Sequence, residues 1–170
     1  MSEYHRTTRE CTLDQLRPEL VAAMRTYAQR QQWANLEAEV LACCETTTER
    51  TSTNPVDAWL NGSAPTITHL ALIATPDRLI WAYSRDSANT GTASAQYKDM
   101  RLKIFTPKHT QDIAVDIYAH MDGTREKAGG RLRLDSGPDA HKFCDAVMRA
   151  TDTLYPPEVK KPRHKWFGLW

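Results

Sequence analysis

Residues 68–83 read THLALIATPDRLIWAY, and the fold is decided there. The first arm, Thr68–Ala74, is a nearly unbroken apolar run, and the second, Leu79–Tyr83, is LIWAY. Both are rich in strand formers and too short for a buried helix. Between them stands Thr75-Pro76-Asp77-Arg78. Proline at the second position of a turn has its φ already set, and aspartate at the third suits a type I turn. The stretch therefore reads as an antiparallel hairpin within Thr66–Asp86.

Working towards the N-terminus, Glu39–Thr53 (EVLACCETTTERTST) is rich in threonine and reads as a strand. Asn54–Pro65 has two prolines and a glycine and reads as a long loop carrying Trp59 and Leu60. Further back, Leu13, Leu16, Leu20, Met24 and Tyr27 recur at helical spacing, with Val21 and Trp33 beside them. Thr12 is placed to cap this helix, which is expected over 12–35 with Pro18 in its second turn. Residues 1–11 form a polar segment.

Towards the C-terminus, Ser84–Ser94 (SRDSANTGTAS) has no apolar anchor and reads as a loop. Gln96–Phe105 sets Tyr97, Met100, Leu102 and Ile104 against charged neighbours. Asp112–Met121 alternates Ile113, Val115, Ile117 and Ala119 strictly, as a half-buried antiparallel strand does. Gly130–Leu134 reads as a short returning strand. A helix follows over Pro138–Leu154, with proline in its first turn, Ser136 or Asp135 as cap and Phe143, Cys144, Val147, Met148 and Leu154 on its apolar face.

Composition sets bounds on function. The chain has 170 residues, 22 basic and 21 acidic, for a net charge of +1. That length buries enough surface to need no metal or disulfide. The charge balance argues against the whole chain being a nucleic-acid binder, so no nucleic-acid partner is expected. Cys11, Cys43, Cys44 and Cys144 form no CxxC pair and read as reduced, mostly buried thiols, which points to a cytoplasmic protein. Cys43 and Cys44 point to opposite faces of a strand. MSEYHRTTRE lacks the apolar core of a secretory signal, and no run approaches a membrane span. The six histidines show neither HxH nor HExxH spacing. His120 with Asp116 and Asp122 is the nearest thing to a titratable cluster, and Cys43 has no evident histidine partner. No nucleophile elbow, P-loop or dinucleotide fingerprint is present. The expectation is a chain that is not an enzyme and takes no cofactor.

Residues 74–83 (ATPDRLIWAY) resemble the second hairpin of bacterial pleckstrin-homology-like and GRAM-like domains, and residues 139–150 (DAHKFCDAVMRA) resemble their C-terminal helix. The resemblance covers roughly residues 38–154. It implies a bent antiparallel barrel closed at one end by the helix, on a scaffold that binds lipids, peptides or proteins and seldom does chemistry. The lipid-binding members carry several bases in the loop between their first two strands. Here Glu49–Pro65 has only Arg50, set against Glu49 and Asp57, which departs from phosphoinositide recognition.

The tail, residues 155–170, places Lys160, Lys161, Arg163 and Lys165 before Trp166, Phe167 and Trp170. Cations beside bulky aromatics suit an anionic membrane surface, an apolar groove on a partner, or packing on the chain's own domain. The expectation is an α+β domain: a bent antiparallel sheet or barrel of six or seven strands, a C-terminal capping helix and an additional N-terminal helix. Its function is expected to be that of a non-catalytic interaction module for a protein or peptide partner or its own copies, with Trp59, Leu60 and the tail as contacts. The alternatives are membrane association through the tail, and a small-ligand carrier or enzyme using the barrel's open end near Trp59, Trp81 and His120.

Overall fold

The computed structural model describes residues 4–50, 67–85, 89–108, 110–122 and 127–154. It is an α+β arrangement of two antiparallel sheets. The first has five strands in chain order: β1 (Tyr4–Glu10), β2 (Ala42–Arg50), β3 (Ile67–Ala74), β4 (Arg78–Arg85) and β5 (Asn89–Gln96). The second has three, β6 (Met100–Phe105), β7 (Ile113–His120) and β8 (Lys127–Leu134). Helix α1 spans Pro18–Arg30, a single turn α2 spans Leu36–Glu39, and α3 spans Pro138–Leu154.

The hairpin is β3–β4, with Ala74 opposite Leu79 and Leu70 opposite Tyr83. Thr75 organises its turn: its hydroxyl donates to the Arg78 carbonyl and accepts from the Arg78 amide. The apolar runs are continuous because both faces of these strands are covered. On one side Leu72, Leu79 and Trp81 join Ile113, Val115, Ile117 and Leu134 of the second sheet in one core, across which α3 lays Phe143, Cys144 and Val147. On the other, Ala71, Ile73, Ile80 and Ala82 meet Leu13, Leu16, Leu20 and Met24. Cys43 and Cys44 follow this division, one in each core.

Several expectations are corrected. The N-terminal helix begins later: Leu13–Gln15 is a single 3-10 turn, and Pro18 is the first residue of α1, where a missing N–H costs nothing. The polar segment 1–11 contains a strand, β1. The expected loop Ser84–Ser94 is largely strand, since β4 runs to Arg85 and β5 begins at Asn89. The inner positions of β5 are Ala93 and Ala95, small enough to lie under the second sheet. There are eight described strands rather than six or seven. They form two sheets that do not close into a barrel, because the chain turns through a 3-10 segment, Tyr97–Asp99, between β5 and β6.

The sheets are tied at two places. The Asp122 amide donates to the Ser94 carbonyl at 2.9 Å, joining the end of β7 to β5. At the opposite edge the Thr8 amide donates to Asp135 at 2.9 Å and the Asp135 amide to the Thr8 hydroxyl at 3.1 Å, joining β1 to the end of β8. No helix among the described residues is long and apolar enough to cross a membrane.

Candidate functional site

The expected contact residues Trp59, Leu60, Lys160, Lys161, Arg163, Lys165, Trp166, Phe167 and Trp170 lie outside the described residues. Trp81 is in the core between the sheets, whereas His120 is exposed on the far side of β7, so the two face no common opening. Asp116 and Asp122 are not brought together with His120 as a cluster. Asp116 is held by Arg131, and Asp122 accepts from Ser94 at 2.5 Å and from Arg78 at 3.4 Å. Among the described residues no group of three His, Cys, Asp or Glu side chains is placed to hold a metal ion.

The Asp122 network is structural in character. Tyr27 of α1 shares a hydrogen bond with Ser94 at 3.1 Å, and the Arg78 guanidinium lies 4.5 Å from the Trp33 ring centroid. Arg78 also holds Asp77 below the usual carboxylate range, through a direct ion pair at 2.7 Å. These bonds fasten α1 and the hairpin turn to the end of β7. Ser94 is wholly buried, so no substrate reaches its hydroxyl.

The thiols divide likewise. Cys11 and Cys43 face each other with sulfurs 3.7 Å apart, and Cys43's hydrogen bond holds the Cys11 thiol below its ordinary value. Burial pushes Cys44 well up and Cys144 to about 11, so neither offers a thiolate near neutral pH.

A coherent surface site lies on the outer face of β6–β8. Strict alternation sends Ile113, Val115, Ile117 and Ala119 into the core, so the intervening residues must face away from it. Register then stacks them in rows. Arg101 stands opposite Tyr118, which stands opposite Gly129; in the next row are Lys103, Asp116 and Arg131; in the third, Phe105, Ala114 and Arg133. His120 and Lys127 extend the first row's end. The helices pack elsewhere, α1 on β4 and β5, α3 on β1 to β3.

Five cations (Arg101, Lys103, Lys127, Arg131 and Arg133) thus share this face with one carboxylate, Asp116. With +4 here and +1 on the whole chain, everything else sums to −3. Asp116 accepts both Arg131 nitrogens, at 2.5 and 2.9 Å, which keeps its carboxyl below the usual range and leaves it ionised. It fixes the guanidinium's direction without neutralising the row. Lys103 and Arg131 also lie against the Phe105 ring, 4.9 and 5.3 Å from its centroid. Tyr118 is 52% exposed and stands beside Gly129: a Cβ added to that glycine would lie 3.3 Å from Tyr118 Cδ2, the one atom of the ring within 4 Å.

The alternating charges of residues 96–105 and 112–121 are visible in the sequence, but which of them share a face depends on strand pairing. Only the register puts Arg101, Tyr118 and Gly129 in line. No protein-family model, no curated protein and no solved structure matches the chain.

Proposed function

We propose that this chain is a non-catalytic interaction module whose contact surface is the outer face of β6–β8, and that its partner is a polyanion. The observation that carries the proposal is the charge segregation: +4 concentrated on one solvent-facing sheet of a chain that is nearly neutral. Such a patch raises the local concentration of anionic partners and speeds their encounter. The pleckstrin-homology-like reading of the scaffold belongs to the same proposal. Two antiparallel sheets enclosing one core, with a C-terminal helix laid across it, support that reading. The Asp122 network is engaged in bonds that fasten elements together, and Cys44 and Cys144 are packed in the core as buried thiols, which favours recognition over chemistry.

Heparin chromatography of the full chain tests this. The wild type is expected to be retained, and the double substitution Arg101→Glu with Lys103→Glu to elute at clearly lower salt. Identical elution of the two proteins would overturn the proposal that this face is the contact surface.

A further inference from the structure

We infer that the polyanion is a single-stranded nucleic acid, with a base stacked on Tyr118 and the neighbouring phosphates held by Arg101, Lys103 and Arg131. This rests on the reading of the outer face as the contact surface and names the partner that the face fits.

The aromatic geometry selects among anions. Tyr118 is 52% exposed and its cross-strand neighbour on β8 is a glycine, so the residue opposite it has no side chain to cover the ring. An unpaired base needs such a surface, because stacking uses a π-face that every base has and every duplex hides. An acidic peptide would use the cations and leave the ring idle. A membrane surface calls for several apolar side chains that project into lipid, whereas Tyr118 is the one large exposed apolar side chain on β6–β8.

The cations are spaced to follow a backbone. Arg101 is the cross-strand neighbour of Tyr118, and Lys103 stands one row on, about 7 Å further along the strand. On the other side of β7, Arg131 presents a planar guanidinium held in place by Asp116. Phe105, two rows from Tyr118, has Lys103 and Arg131 against its ring, which leaves Tyr118 as the ring open to a base. The net charge of +1, which pointed away from nucleic acid, averages this face with a remainder of opposite sign.

Fluorescence anisotropy of the full chain against labelled oligothymidylate tests the inference. The same strand in a duplex, poly-L-glutamate and phosphatidylserine vesicles serve as the other probes. Circular dichroism checks that each variant is folded. The single strand is expected to bind best, with log K falling against log salt at a slope of roughly −2 to −3.5, as three to five neutralised phosphates require. Tyr118→Leu keeps an apolar side chain at this position but removes the π-face, and should weaken binding by about 5- to 100-fold, with Tyr118→Trp retaining it. Arg101→Glu with Lys103→Glu should weaken binding at least about tenfold and flatten the slope by about 1.4. Equal affinity for duplex and single strand, or indifference to Tyr118→Leu or to the double substitution, would overturn the inference. If polyglutamate or vesicles bind through Arg101 and Lys103 while oligothymidylate does not, the polyanion reading survives and the nucleic-acid one fails. If no probe binds, both fail.

Discussion

At the scale of the residue, Gln32 is the clearest mismatch between side chain and backbone. Helix α1 ends with the Trp33 amide donating to the Ala28 carbonyl and the Gln32 amide to that of Gln29. This pattern needs its C′ residue in the left-handed region, and Gln32 has φ 57°. Glycine is the residue suited to that position, since a Cβ there costs about 1–2 kcal/mol. Gln32→Gly is therefore expected to raise stability by about 1 kcal/mol, seen as a rise of roughly 2–4 °C in the thermal midpoint. A lowered midpoint would mean that the glutamine side chain contributes more than its backbone costs. The same end of α1 delivers Trp33 to Tyr27, ring centroids 5.6 Å apart, and to Arg78. Some residue-level detail was legible: the opposed directions of Cys43 and Cys44 follow from strand periodicity alone. Pro18 was misplaced because apolar spacing cannot show where a helix begins when a 3-10 turn precedes it.

At the scale of the element, β1 and β5 were hidden for different reasons. In β1 the residues on the inner side include Arg6, which pairs with Asp112, and Thr8, whose hydroxyl meets that of Thr46 at 2.9 Å. A strand whose buried positions are polar shows no apolar alternation. In β5 the buried positions are alanines and a serine, which look like loop residues until their cross-strand partners Leu79, Ile80 and Trp81 are known. β1 also shows how an edge is finished. Its outward amides at Thr8 and Glu10 donate to the carboxylates of Asp135 and Asp139, at 2.9 and 3.0 Å, in place of a further strand. Asp135→Ala should cost about 1–3 kcal/mol, because it leaves the half-buried Thr8 amide without an acceptor. Hydrogen exchange should show that amide losing protection while the β3–β4 amides keep theirs. Unchanged exchange at Thr8 would show that another acceptor takes over.

At the scale of the whole molecule, the α+β class, the central hairpin and the closing helix were legible, since each is carried by local periodicity. The division into two sheets was not, because it turns on the geometry of a three-residue bend, Tyr97–Asp99, between two strands of ordinary pattern. The five-stranded sheet separates two apolar cores, and this makes a prediction about coupling. Phe143→Ala empties part of one core and should cost about 3–5 kcal/mol, while Leu20→Ala acts in the other and should cost about 2–5 kcal/mol. With the sheet between them, the double variant should deviate from additivity by less than about 0.5 kcal/mol in denaturant melts. A larger deviation would show that strain passes through the partition. The order of the strands bears on synthesis. Within each sheet, every strand after the first pairs with the one made just before it, so a chain leaving the ribosome can add strands to a growing edge without threading. The helix α3 is the last of the described elements to emerge. Until residue 154 is out, the apolar surface meant for Phe143 and Val147 has no cover, and the nascent protein is most exposed to chaperones and to its neighbours in that interval.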